Sequence, residues 1–267
     1  MPHICINNQD LHYLDQGDGP VLLFGHSYLW DSDMWQQQIA ALSKSYRCIV
    51  PDLWGHGKSA PLTKTPSIQS LADDHWALLQ ALHIERCSLI GLSVGGMWGV
   101  QLALDHPETV ERLAIMDTFL GVEPSATQQL YLQMLDMVDQ AGAVPQPLIE
   151  QLIPIFLSPV TLEEQPAIAT SFRNMLSALP AEKVSTIVAL GRCIFQRKDR
   201  MAALAQLKMP VLVLVGELDQ PRPPHEAREM ADAIEHATYK VIAKAGHISA
   251  LEQPKEVNML LQKFLSS

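Results

Sequence analysis

A serine that is to attack a carbonyl needs three things from its chain: a sharp turn that lifts the hydroxyl, a base within reach, and a group that orients the base. Residues 91–96 read Gly91-Leu92-Ser93-Val94-Gly95-Gly96, a G-x-S-x-G pattern. The apolar run Cys87–Ile90 precedes it and a helical stretch from Val94 follows it. Strand, tight turn and helix are the context in which this pattern presents a nucleophile. Gly91 and Gly95 remove side chains where strand and helix converge. The first helical turn leaves backbone N–H groups unpaired, so the N–H of Val94 can face a developing oxyanion. Three fixed positions recur often by chance, so the pattern counts only in this context.

The base is sought past a late strand. Ala245-Gly246-His247 follows the candidate strand Tyr239–Ala243, which places His247 at the carboxyl edge of a parallel sheet, where ligands of open α/β sheets bind. The plain alternative is an exposed loop histidine, one of ten in the chain. Asp219, in Gly216-Glu217-Leu218-Asp219 after Val211–Val215, is the carboxylate that would hold the imidazole. Asp117, ending the strand Leu113–Met116, is a rival, and Glu217 a lesser one. Asp219 is preferred because it stands out on its loop. The order Ser, Asp, His along the chain is that of an α/β-hydrolase site. A fourth element, Phe24-Gly25-His26-Ser27-Tyr28, follows Val21–Phe24 and can offer the N–H of Tyr28 as a second oxyanion donor. Such a donor is worth ~3–4 kcal/mol in a transition state. His26 reads as a pin for its loop rather than a base.

These groups need a frame. Eight short apolar runs alternate with amphipathic stretches: His3–Ile6, Leu11–Asp15, Val21–Phe24, Arg47–Val50, Cys87–Ile90, Leu113–Met116, Val211–Val215 and Tyr239–Ala243. Several are continuous rather than alternating, the mark of strands covered on both faces in a mostly parallel sheet. Helices are predicted over Asp33–Leu42, Ser67–Leu82, Val94–Leu104, Glu226–Ala233 and Pro254–Phe264. The fold class is therefore α/β. From about Gly121 to Lys208 no strand is clear. That stretch, rich in Leu, Met, Gln and Pro, predicts three or four helices: a helical cap over residues 121–207, inserted in a core formed by 1–120 and 208–267. Leu29, Trp30, Trp98, Phe119, Phe156 and Phe195 are candidates to line an acyl pocket, each also a candidate for plain core.

Composition narrows the classes. The 267 residues are 48% apolar and 18% charged, enough for a sizeable core. A formal net charge of −10 disfavours nucleic acid as partner. Four cysteines at irregular spacing, with no C-x-x-C, indicate neither a zinc site nor a disulfide framework. No run approaches the ~18 apolar residues of a membrane span, and the start, Met-Pro-His-Ile-Cys, has no secretory character, so a cytoplasmic location is expected. Gly55-His56-Gly57-Lys58-Ser59 imitates half a phosphate loop, but the first glycine is replaced by Asp52. Neither a dinucleotide fingerprint nor H-E-x-x-H is present.

With these residues the chain resembles the α/β-hydrolase superfamily, and within it the small esterases and 3-oxoadipate enol-lactonases. The matching pieces are Phe24-Gly25-His26, Pro51–Ser59, Gly91–Gly96, Gly216–Asp219 and Gly246-His247 followed by Leu251-Glu252-Gln253-Pro254. The resemblance implies an eight-stranded sheet, a helical lid and no cofactor or metal. Dehalogenases and epoxide hydrolases of this superfamily carry aspartate where Ser93 stands, so acyl chemistry on a small ester, lactone or thioester is expected. The family usually has glycine where this chain has Ser27, which would displace the oxyanion donor at Tyr28. Relatives with the same residues split carbon–carbon bonds or make peracids, and a non-catalytic small-ligand receptor is a further alternative. Self-association is left open.

Overall fold

The computed structural model describes residues 2–267. Its sheet is built by β1 (His3–Ile6), β2 (Gln9–Gln16), β3 (Val21–Gly25), β4 (Arg47–Pro51), β5 (Cys87–Leu92), β6 (Val110–Met116), β7 (Val211–Gly216) and β8 (Ala237–Ile242). The order across the sheet is β1-β2-β4-β3-β5-β6-β7-β8. β1 pairs antiparallel with β2, and β2 with β4; every later pair is parallel. Every residue of β5 and β7 is buried, as continuous apolar runs require when both faces are covered. β8 starts two residues before its apolar run, because Ala237 already pairs with Val211.

The helices are α1 (Gln36–Leu42), α2 (Ile68–Ala81), α3 (Val94–Asp105), α4 (Ser125–Ala141), α5 (Gln146–Phe156), α6 (Pro159–Glu164), α7 (Pro166–Ser177), α8 (Ala181–Phe195), α9 (Pro224–Asp232), α10 (Ser249–Glu252) and α11 (Pro254–Leu265). α2 starts on a capping box in which the Ser67 and Ser70 side chains each bond the other's backbone N–H. The short 3₁₀ turn Ser32–Trp35 opens on Asp31, whose side chain accepts from the N–H of Asp33. All of α4 to α8 lies between β6 and β7. That is five helices where three or four are expected from sequence. Pro159 and Pro166 open α6 and α7 at the first helical position, where proline is tolerated. Pro154 sits inside α5, near its end.

All four cysteines are unpaired. Burial pushes the thiols of Cys48 and Cys87 up to about 12. No helix among the described residues is long and apolar enough to cross a membrane.

Candidate active site

The turn between β5 and α3 is made by backbone contacts that allow no side chain. A Cβ on Gly95 would stand 2.1 Å from the carbonyl oxygen of Gly25, and one on Gly91 2.3 Å from that of Gly95. β3, β5 and the start of α3 are thus pressed together at their glycines. Ser93 is held there at φ 57°, ψ −118°, a conformation an L-residue keeps only when its surroundings impose it. The end of β6 and the loop after it do so: Ser93 N–H donates to Met116 O at 2.9 Å, and the Thr118 hydroxyl donates to Ser93 O at 2.7 Å.

The loops after β7 and β8 bring the other two residues to the same edge. His247 Nε2 lies 3.0 Å from Ser93 Oγ. On its other side, His247 Nδ1 lies 3.0 and 3.1 Å from the two carboxylate oxygens of Asp219. All three residues are buried. A proton on Nδ1 is thereby paired with a carboxylate, which leaves Nε2 free to accept from the serine hydroxyl. Asp219 is fixed in turn by the N–H of Arg222, 2.9 Å from Oδ1.

The two rival carboxylates are occupied elsewhere. Glu217 accepts from the N–H of Lys244 at 3.0 Å. Asp117 accepts from Gly216 N–H at 2.7 Å and from the Ser249 hydroxyl, tying the ends of β6 and β7 to α10. Its carboxyl pKa is raised well above the ordinary value, by complete burial first and by the negative charge of Asp219 second. Asp117 is a structural brace between these elements.

The loop after β3 lies opposite the turn. The Tyr28 N–H has no acceptor among the described residues, and the N–H of Val94 opens α3, where no helical carbonyl precedes it. Ser27 needs no glycine: the left-handed residue is Leu29, at φ 65°, and its N–H donates to His56 Nε2 at 3.1 Å. His26 braces the same loop, accepting from Leu53 N–H at 2.7 Å and donating from Nδ1 to Ser27 O at 2.8 Å. Burial holds both imidazoles below the ordinary histidine value, His56 at about 3. Two neutral histidines therefore carry this loop. His56 sits in the segment that imitates a phosphate loop, and that segment's glycine Gly57 has no room for a Cβ, which would meet the Asp52 carboxylate at 2.2 Å.

Glu252, on α10, lies in the motif Leu251-Glu252-Gln253-Pro254, and its carboxylate joins two segments distant in the sequence. One oxygen accepts from Gly246 N–H (2.9 Å) and Ile248 N–H (3.1 Å), the residues on either side of His247. The other accepts from Ser158 N–H (2.8 Å) and the Thr161 hydroxyl (2.7 Å), in the helical insertion. The N–H of His247 itself donates to Phe156 O, the last residue of α5, at 2.9 Å.

Between the sheet edge and α4, α5 and α8 lies a largely apolar cavity that opens on Ser93 and His247. Leu29, Phe156 and Phe195 line it, with Met134, Leu135 and Ile187 among others. Trp98, Trp30 and Phe119, expected there from sequence, do not. Trp98 is fully buried beneath the turn, stacked on His75 at 3.7 Å. Trp30 stacks on Phe172 of α7 at 4.5 Å and borders a separate groove. Phe119 folds back over Gly121, where a Cβ would come within 2.4 Å of its ring. Among the described residues no group of three or more His, Cys, Asp or Glu side chains is arranged to hold a metal ion.

This fold and this edge define a class, and the sequence agrees with it: residues 20–254 match the family described as alpha/beta hydrolase fold, and the chain belongs to it. Among its relatives is 3-oxoadipate enol-lactonase 2 of Acinetobacter baylyi, 30% identical over 91% of this chain and 87% of that protein. The enol-lactonase of Burkholderia xenovorans LB400 superposes with a TM-score of 0.90 at 27% identity, covering all of both chains. A thermophilic esterase from Thermogutta terrifontis, solved with malate bound, also gives 0.90, at 28% identity over 99% of this chain and 97% of that one.

Proposed function

We propose that the protein is a serine hydrolase of small carboxylic esters or lactones, with Ser93 as nucleophile, His247 as general base and Asp219 as the group that orients it. The observation that carries this reading is the line of contacts Ser93–His247–Asp219, at 3.0 Å and 3.0 Å. The names of an enol-lactonase and an esterase among its relatives support the choice of substrate.

The reaction runs in two steps. Ser93 Oγ attacks the carbonyl carbon as its proton passes to His247 Nε2, and Asp219 stabilises the imidazolium. The N–H groups of Tyr28 and Val94 receive the oxyanion. The tetrahedral species collapses, the leaving alkoxide takes the proton from His247, and an acyl-serine remains. Water, deprotonated by His247, attacks that ester; Ser93 leaves and recovers its proton.

Ser93→Ala is expected to lower turnover of p-nitrophenyl esters by ~10⁶-fold where chemistry limits the rate, and to abolish labelling by a fluorophosphonate. An alanine variant that keeps its esterase activity overturns the assignment. A panel adding lactones, vinylogous diketones and peroxide separates ester hydrolysis from carbon–carbon cleavage and perhydrolysis by the same residues.

A further inference from the structure

The cavity beside Ser93 does not end against solid core. Behind one part of its wall lies a surface cleft, bordered by α3, by α8 and the segment after it, and by residues 65–69, which lead into α2. Two residues face both spaces, Met97 and Arg197. The cavity measures about 80 Å³ and the cleft about 730 Å³. Sites for small molecules usually take ~300–1,000 Å³, so the cavity alone suits a short group and the cleft could hold a longer one.

Met97 stands one helical turn beyond the nucleophile, and its N–H donates to Ser93 O at 3.1 Å. Ser93, Met97 and Gln101 follow one another at intervals of four residues and so share one face of α3. Ser93 lines the cavity, Gln101 lines the cleft, and Met97, 3% exposed, lines both. The other shared residue is fixed in place: Arg197 Nη1 donates to Glu123 at 2.9 Å and to Ile194 O at 3.0 Å. Met97 carries no charge, and its unbranched thioether fills a gap by shape alone. It is the part of the partition that a substitution can open without unpairing an ion.

The partition lies on the acyl side of the nucleophile. His247 must hand its proton to the leaving oxygen, which keeps the leaving group next to the imidazole and turns the acyl group the other way. No described residue of the loops that carry Asp219 and His247 borders the cleft. Past Met97 the cleft offers Leu120, Val188 and Ala189 as apolar surface.

We propose that Met97 is a specificity-determining residue: it closes the acyl end of the cavity, sets the longest acyl group the site accepts, and separates that site from a cleft able to take a longer chain. The proposal rests on the assignment of Ser93 above. Its test is the ratio of kcat/KM for p-nitrophenyl octanoate to that for p-nitrophenyl butyrate. Burying one methylene favours binding about fourfold, so four of them set a ceiling of ~200-fold. The parent protein is expected to prefer butyrate, and Met97→Ala to raise the ratio at least about tenfold. Adding Ala189→Phe, which fills the cleft, to Met97→Ala is expected to return the ratio toward that of the parent. Should circular dichroism show Met97→Ala unfolded, Met97→Val removes less volume and is expected to shift the ratio in the same direction. A parent that already accepts octanoate as well as butyrate, a ratio unmoved by truncation of Met97, or a raised ratio that Ala189→Phe leaves in place overturns the proposal. Calorimetric titration with 2-octanone and 2-butanone, which are not hydrolysed, separates the two claims. If the parent turns over no ester but truncation of Met97 strengthens binding of 2-octanone relative to 2-butanone, the stop at Met97 stands and the reaction assignment fails. If hydrolysis depends on Ser93 while the ester ratio stays unmoved, the reaction assignment stands and the stop fails.

Discussion

Replacing Glu252 by glutamine tests whether one buried carboxylate sets the position of His247. The substitution keeps the shape and removes the charge. Glu252 is 1% exposed and accepts four hydrogen bonds, two on each oxygen. Glutamine has one oxygen, so its NH₂ group must face either the two N–H groups that bracket His247 or the two donors of the insertion. Hydrogen bonds to a charged group contribute about 1.5–3 kcal/mol each. Losing two of them sets an upper range of about 3–6 kcal/mol, and local relaxation brings the expected loss to roughly 3 kcal/mol. Urea unfolding measures it. The same displacement moves the imidazole relative to Ser93, and an error of about 1 Å at a reacting group costs on the order of 100-fold in rate. kcat is therefore expected to fall about 10- to 100-fold, with KM changed far less, in stopped-flow hydrolysis of a p-nitrophenyl ester. Unchanged stability together with unchanged kcat refutes the argument outright. A loss of stability with kcat intact shows that Glu252 braces the insertion and leaves the histidine where it was.

Further substitutions discriminate the neighbouring roles. Asp219→Asn is expected to reduce kcat about 10⁴-fold by upsetting the imidazole tautomer, whereas Asp117→Asn, at a side chain bonded to Gly216 and Ser249 and not to His247, is expected to change it by less than roughly tenfold; steady-state kinetics with equal losses in both would contradict the assignment. Gly95→Ala puts a Cβ 2.1 Å from the Gly25 carbonyl oxygen and is expected to destabilise by about 3 kcal/mol or more, read as a lowered melting temperature by circular dichroism. His75 is buried and its pKa is lowered by burial from 6.5 to about 4. The unfolded chain therefore takes up a proton below pH 6.5 that the folded chain refuses, and stability falls as pH drops from there toward 4. At pH 5 this costs about 2 kcal/mol. His75→Phe keeps a ring on Trp98, and its loss of stability between pH 7 and pH 5 is expected to be about 2 kcal/mol smaller than that of the parent; identical pH dependence in the two proteins would count against a buried neutral imidazole.

Sequence reasoning reaches as far as local constraint does. The turn at Ser93 is legible because its glycines are forced by contacts within and next to the motif, and β5 and β7 because burial on both faces leaves continuous apolar runs. Other features depend on packing that no short window encodes. α3 is buried from Val94 through Ala103, so its apolar residues have no periodicity to say which way Trp98 points. The prolines of the insertion open helices as well as end them, which conceals one helix boundary among many breaks. Ser27 departs from the family pattern, yet the strained residue of its loop is Leu29, supported by His56 from 27 residues further along. Glu123 meets Arg197 and Arg222 across 74 and 99 residues, distances at which charge pattern carries no signal.

The hydrogen bond from the N–H of His247 to Phe156 O has a consequence for protein engineering. Swapping the whole 121–207 segment for that of a relative would replace the carbonyl from which the histidine loop hangs, even with every core residue retained. A chimera that exchanges α4 and α8 but keeps the junction from Phe156 to Thr161 preserves that anchor, while one cut through the junction leaves the imidazole to find a new resting place. Recombination of specificity in this architecture is therefore bounded at one seam, and crossover points belong on the far side of it.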